Sequence, residues 1–236
     1  MQRWRLNHFF SYAGVASRRQ ADRWIAAGRV QVNGQTALLG SWVDEQDVVE
    51  FDGARVMRQS PPIFLLYHKP VGVICTHDPK VKNNLPNALK IPHRLFAVGR
   101  LDKDSEGLML LTNQGEIVNR ILRVENGHPK RYRVTVDHPL TAEFLQQMAE
   151  GVEILNTRTR PTICVALSVE VFELTLTQGL NRQIRRMCQA LGYRVLRLER
   201  LAILHLELGH LPSGEWRELE AEALSRLYLA LDLDLG

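Results

Sequence analysis

The sequence predicts an α+β protein, with a larger domain on a mixed, mainly antiparallel sheet preceded by a small α/β domain. Three observations lead there. Tandem prolines in QSPPIF, residues 59–64, stiffen the chain and break either element type just before an apolar run, so residues 1–60 and 61–236 are expected to form separate domains. Ahead of the prolines, two helical patterns give way to hairpin signals. Beyond them, strand-like and helical stretches alternate without the strict βαβ beat of a parallel sheet.

Leu6, Phe9, Phe10 and Ala13 keep helical spacing, and Gly14 is placed to end that helix. A second helix follows at once. Ser17 with Gln20 forms a capping-box pattern, Ala21, Trp24 and Ile25 make its apolar stripe, and Gly28 fits the left-handed position past its end. Arg18, Arg19 and Arg23 lie largely off that stripe. RVQVNG at 29–34 alternates like a strand and ends in Asn-Gly, and VVEFDGARV at 48–56 repeats the device with Asp-Gly. In the larger part, IFLLYHK (63–69), RYRVTV (131–136) and VFELTLT (171–177) read as strands. EIVNRILR (116–123), TAEFLQQM (141–148) and NRQIRRMCQAL (181–191) read as helices. In the last of these, Ile184, Met187, Cys188 and Leu191 form an i, i+3, i+4, i+7 face, Asn181 is placed to cap, and Arg182, Arg185 and Arg186 fall on the opposite side or its flank.

Several function classes are excluded early. No apolar run approaches the roughly 18 residues of a membrane span, and MQRWRLNHFF lacks the phases of a secretory signal, so a cytoplasmic, membrane-free protein is expected. Cys75, Cys164 and Cys188 are too widely spaced for a zinc site and odd in number, which reads as reduced thiols. Nucleotide-binding glycine loops and zinc-protease spacings are absent. The net charge of +4 hides a strong segregation, because residues 1–30 carry six arginines against Asp22 alone. Residues 176–200 carry six more against Glu199, and 24 of the 30 basic residues are arginine, the side chain suited to bidentate phosphate contacts and to stacking on bases. A polyanion partner follows from that pattern as readily as a solvated face does.

The stretch GRLDKDSEG, residues 99–107, admits two chemistries. Asp102, Asp104, Glu106 and Gly107 occupy positions 1, 3, 5 and 6 of a calcium loop, but position 12 would be Asn113, which offers no bidentate carboxylate. LFAVG before it and LMLLT after it read as buried strands, not as the helices of a calcium hand. The alternative is an acid set at a strand edge, where an unpaired carboxylate is costly and a cation is required.

Resemblance to known families bears on both domains. RLNHFFSYAGVASRRQADRWIAAGRVQVNG resembles the small RNA-binding module first known from a ribosomal small-subunit protein, the S-four type, with Asn7 replacing the usual acid and Gln46-Asp47 replacing a Gly-Asp turn. The resemblance implies that Arg5, Ser17, Arg18, Arg19 and Arg23 contact RNA backbone. GRLDKDSEGLMLLTNQGE, KRYRVTV and QGLNRQIRRMCQALGYRVLRLERLAI, in that order, resemble the RsuA and RluF group of pseudouridine synthases, and RVENGHPKRYRVTVDHPLT with GVEILNT looks most like its RluF branch. That resemblance implies a pseudouridine synthase fold behind the RNA-binding domain. It further implies that Asp102 is the essential acid, that Arg100 enters the RNA stack where the base leaves, that Tyr132 lies against the flipped uracil with Lys130 beside it, and that Arg185 pairs with Asp102. Substrates implied by the branch are 23S ribosomal RNA, free or in a ribosome assembly intermediate, and additionally a tyrosine transfer RNA.

Such chemistry asks for little beyond the chain. Moving uracil from its nitrogen to its carbon five involves no redox change, so neither an organic cofactor nor a metal is expected. The target base must leave its stack to reach Asp102, at a cost of a few kcal/mol offset by contacts. Whether Asp102 attacks the anomeric carbon or removes the neighbouring sugar proton, it must be ionised. A monomer suits a protein whose partner is one large RNA. The rival reading is a non-catalytic RNA-binding assembly factor, against which the joint presence of Asp102, Tyr132 and Arg185 argues.

Overall fold

The computed structural model describes residues 3–57, 62–123 and 127–233, which gather into two compact units. The expected domain boundary at residues 59–61 lies outside the described residues.

The first unit holds the described residues up to Ile63, with Ile91–Phe96 and Asn113–Gly115. It runs β1 (Trp4–Arg5), α1 (Leu6–Tyr12), α2 (Arg18–Ala26), β2 (Val30–Val32), β3 (Gln35–Thr36), β4 (Trp42–Val43), β5 (Val49–Phe51) and β6 (Ala54–Arg55). Helical spacing buries Leu6, Phe9 and Phe10 on one side of α1. Ser17 caps α2 by accepting the Gln20 N–H at 3.1 Å, and Ala21 and Ile25 turn inward. Both hairpin signals work as their residues require: Asn33 and Gly34 have φ of 52° and 77°, Asp52 and Gly53 have 50° and 78°, the left-handed pair that matches strand twist. Asp47 keeps an acid's role despite the altered turn. One of its oxygens accepts from Asn33 Nδ2 at 2.7 Å and the other from the Asp44 N–H at 2.7 Å, while Asn33 Oδ1 accepts the Val48 N–H. The strands order as β3-β2-β5-β6, with β1 paired to β4, over a core that includes Phe10 and a Trp24–Phe51 stack at 4.0 Å.

The second unit opens with β7 (Phe64–Lys69), α3 (Leu85–Leu89), β8 (Phe96–Val98), β9 (Glu106–Thr112) and α4 (Gly115–Leu122). It continues through β10 (Lys130–Val136), α5 (Ala142–Glu150), β11 (Glu153–Ile154), β12 (Thr157–Arg158), β13 (Ile163–Ala166) and β14 (Val171–Leu176). Last come α6 (Gln183–Ala190), β15 (Val195–Ile203), β16 (Leu206–Glu207), β17 (Trp216–Glu218) and α7 (Ala221–Ala230). The main sheet orders as β13-β14-β10-β15-β9-β7-β17, with β16 beside β15 and β8 beside β9. Along this path only β9 and β15 are parallel. The sheet is mixed and mainly antiparallel, as the sequence predicts.

Alternation along β10 and β14 decides where each face goes. Val134, Val136, Phe172 and Leu174 point into a core closed by Phe144 and Met148 of α5 and by Ile184, Met187 and Cys188 of α6. Each large apolar side chain buried this way contributes about 1.5–3 kcal/mol. Arg133 and Glu173, on the other face, pair across the strands at 2.9 Å in solvent. A separate core joins Phe64, Leu66, Leu108 and Leu110 to Ile117 and Ile121 of α4 and Leu227 of α7.

The parallel seam fixes the final glycine of GRLDKDSEG. Gly107 has φ +111°, and a Cβ there would stand 2.3 Å from the Arg200 carbonyl oxygen and 2.5 Å from its nitrogen. Only glycine lets β9 approach β15 so closely.

Candidate active site

Between β8 and β9 the chain must turn sharply, and the segment from Gly99 to Ser105 does so with Gly99 at φ +74°. A turn forms at its tip, where the Ser105 N–H donates to the Asp102 carbonyl at 3.1 Å. Beneath it lies Lys69, the last residue of β7, wholly buried. Its Nζ donates to the Ser105 carbonyl at 2.7 Å and to the Pro70 carbonyl at 2.8 Å. Burial pushes this ammonium below the usual lysine range, and Asp102, Asp104 and Glu106 act in the opposite sense. The lysine thus pins the loop by its backbone, leaving the carboxylates free to face outward.

Arginines from α6 and β15 meet those carboxylates. Arg182 Nη1 stands 3.5 Å from Asp102 Oδ2 and its guanidinium forks onto both oxygens of Asp104 at 3.2 and 3.1 Å. This bond holds the Asp104 carboxyl below the usual carboxylate range. Arg197 takes Glu106, with Nε to Oε1 at 2.5 Å. The expected partner of Asp102, Arg185, is engaged elsewhere: its Nη2 donates to the Asp104 carbonyl at 2.8 Å and its Nη1 to the Val195 carbonyl at 3.1 Å, with Nε 3.4 Å from Asp104 Oδ2. Arg185 therefore fastens the loop to β15, and the Asp102 ion pair belongs to Arg182. The reason is local. Arg182 adopts a left-handed backbone, φ 51°, at the position preceding α6, which sends its side chain to the loop. That residue is the N-cap in place of Asn181, whose Oδ1 instead accepts from Arg186 Nη2 at 3.2 Å. Gln183 closes the turn by accepting the Leu180 N–H at 3.0 Å.

β10 supplies the opposite wall. Tyr132 is paired in register with Arg200 of β15 and Leu174 of β14, and Lys130 begins the strand with its Nζ donating to the His128 carbonyl at 3.1 Å. Burial, then the charge of Arg200, pushes the Lys130 ammonium down to about 8. Arg200 itself is buried, with Nε donating to the Leu108 carbonyl at 2.7 Å. Loop, β10 and the α6 approach enclose a cavity of about 790 Å³. Among the described residues its lining includes six cations, Arg100, Lys103, Arg123, Lys130, Arg182 and Arg200, with Tyr132 and one carboxylate, Asp102. Chemically this is a single acid, part exposed, in a positively charged bowl large enough for a nucleotide, with an aromatic side chain on its wall.

The structure thus brings Asp102, Arg100, Tyr132 and Lys130 to one cavity and sets Arg185 behind its rim. Arg5, Ser17, Arg18, Arg19 and Arg23 belong to the first unit. Arg18, Arg19 and Arg23 are exposed along α2, Ser17 spends its oxygen on the cap, and Arg5 lies over the Trp42 ring at 4.7 Å. Sequence reasoning missed Arg182, Arg200 and Lys69. A lysine ending an apolar strand ahead of a proline was the available signal for Lys69; a left-handed arginine leaves none.

Similarity to known proteins agrees with this arrangement. The family model for RNA pseudouridylate synthase matches residues 63–190, and the S4 domain model matches residues 4–49. The dual-specificity RNA pseudouridine synthase RluF of Escherichia coli strain K12 is 44% identical over 230 residues, which cover 97% of this chain and 79% of that protein. Ribosomal large subunit pseudouridine synthase B of Bacillus subtilis is 37% identical over 237 residues, 97% of each chain. A crystal structure of a pseudouridylate synthase superposes with a TM-score of 0.70 at 28% identity, covering 94% of this chain and 99% of the other. Matched over more than half its length by one model and over nearly all of it by such relatives, the chain belongs to the RNA pseudouridylate synthase family, in the form that carries an S4 domain ahead of the synthase domain.

Proposed function

We propose that this enzyme isomerises specific uridines to pseudouridine in 23S ribosomal RNA, acting on free RNA or an assembly intermediate as a cytoplasmic monomer, with a transfer RNA as second substrate. The observation that carries the reading is Asp102, the only carboxylate on a cavity wall otherwise lined by six cations and Tyr132. Relatives named for dual specificity and for the large ribosomal subunit support the choice of RNA.

The reaction breaks the bond from C1′ to N1, turns the uracil, forms the bond from C1′ to C5 and releases the C5 proton. Asp102 is the group that acts on the sugar, and Arg182 at 3.5 Å supplies the opposite charge that favours its ionised form. Tyr132 presents an aromatic face to the extruded base, Arg100 is exposed at the cavity edge where the vacated stack must be filled, and the remaining cations receive backbone phosphates.

Tritium release from unmodified 23S ribosomal RNA labelled at uracil C5 tests the reading, with transfer RNA assayed alongside. The parent releases tritium and Asp102→Asn does not, while still binding RNA. Equal release by both, or none by the parent with RNA bound, would favour an assembly factor without this chemistry.

A further inference from the structure

The turn between β3 and β4 is held from several sides. Ser41 Oγ accepts the Leu38 N–H at 3.1 Å, and the Leu38 carbonyl accepts the Ser41 N–H at 3.1 Å. The Ser41 carbonyl takes the Leu6 N–H at 2.8 Å, and Arg5 Nη1 donates to the Gly40 carbonyl at 3.0 Å. Gly40 has φ +85°, and a Cβ there would lie 3.2 Å from Arg5 Nη1. A turn so fastened keeps its shape, yet what it offers to solvent is apolar: Leu38 is 75% exposed, Leu39 60% and Trp42 49%. Folding of this unit gains nothing from that display, and a contiguous apolar ledge on a stiff turn marks a binding surface.

The occupant can be read from what surrounds the ring. Arg5 is the direct cross-strand partner of Trp42, and its guanidinium sits 4.7 Å from the ring centroid. Next to it, a concavity of about 260 Å³ is lined by Arg5, Arg18, Asn7 and Ser41. An aromatic face beside two arginines suits a ligand that carries a flat π surface and a negative charge on one short unit. An unstacked nucleotide has both, whereas an apolar protein segment leaves the arginines uncompensated.

We propose that Trp42 and the Leu38–Leu39 turn form a stacking ledge for one unpaired base of the RNA, with the adjoining phosphate received by Arg5 and Arg18. The ledge rests on the RNA-modifying reading above and adds to it a second recognition point, in the first unit, separate from the cavity around Asp102. Base–aromatic stacking needs no particular base, so this contact selects for an unpaired nucleotide at that place and not for a sequence.

Binding of in-vitro-transcribed, unmodified 23S ribosomal RNA to the full chain tests it, comparing the parent with Trp42→Phe, Trp42→Leu and Trp42→Ala by filter retention at fixed salt. Phe keeps the π face and should bind within about threefold of the parent; Leu and Ala should each lose about tenfold, a typical effect of removing one stacked base. Tritium release at saturating RNA should be the same in all four, since none of the changes touches the cavity, with the loss appearing in KM. Equal affinity across the series would overturn the proposal and point to a protein occupant. Leu binding as well as Phe would overturn it too, because apolar bulk alone would then suffice. Should the parent bind RNA but release no tritium, the isomerase reading falls, and the binding curves still decide the ledge.

Discussion

At the residue scale, two arginines one helical turn apart divide labour that a single motif match assigns to one. Arg185 donates to backbone carbonyls of the loop and of β15, contacts that hold shape whatever the charge of Asp102. Arg182 is 41% exposed at the rim and touches both carboxylates, so it neutralises charge and remains reachable by solvent. Lys130 gives the cavity a pH dependence. Its ammonium, pushed down to about 8 by burial and by Arg200, is charged at pH 7 and neutral at pH 9. RNA affinity of the parent should therefore fall as pH rises through about 8, as one cation facing the phosphates disappears. Lys130→Arg, which stays charged, should show no such midpoint, and Lys130→Met should bind weakly throughout; a midpoint persisting in either variant would assign it to another group. Stability runs the other way: the unfolded lysine holds its proton up to the model value of 10.5, so the unfolded chain binds more protons from about pH 8 upward. The RNA-free protein gains stability relative to Lys130→Met across that window.

At the element scale, the closeness of β9 and β15 is what places the loop. Gly107→Ala would set a methyl carbon inside the Arg200 peptide, and the contacted atoms are backbone, which cannot swing aside. Since Arg200 also carries the hydrogen bond to Leu108 and lines the cavity, parting the strands should disturb both stability and site. The expected outcome is a loss of several kcal/mol, the range of large single-site effects, seen as a drop in urea midpoint together with lost tritium release. A midpoint equal to the parent's would mean that the seam tolerates the methyl. The same elements show what the sequence could and could not disclose. Amphipathic spacing announced α1, α2 and α5 with their burial, and the Asn-Gly and Asp-Gly pairs announced two hairpins, because these depend on neighbours a few residues apart. The α6 cap was misread: Asn181 has the right chemistry, but long-range pull from Asp102 and Asp104 draws Arg182 into the cap position. Parallel pairing of β9 with β15, and the buried roles of Lys69 and Arg200, join residues about ninety to a hundred and thirty apart in the chain. No local pattern carries that information.

At the scale of the whole molecule, the two units divide binding between electrostatics and chemistry. The first unit contributes exposed arginines along α2 and no carboxylate placed for catalysis; the second contributes Asp102 in its cationic cavity. Sequence reasoning foresaw the arginines of α2, since a basic face on a capped helix is local information, but the ledge at Trp42 emerged only with the fold. Replacing Arg18 and Arg19 together by Ala should remove sequence-independent affinity while sparing the reaction. Each lost phosphate contact releases fewer counterions, so the slope of log affinity against log salt should flatten by about 0.7–0.9 per contact, up to roughly 1.5 for the pair. Tritium release at saturating RNA should match the parent, because neither arginine is in the cavity around Asp102. The converse variant, Asp102→Asn, should keep the parental slope and lose the release. If the double variant instead kept its slope, α2 would not be an RNA contact and the first unit's arginines would serve only as solvated surface. If it lost turnover at saturation as well, the first unit would be setting the RNA into the cavity, and the division between binding and chemistry would have to be redrawn.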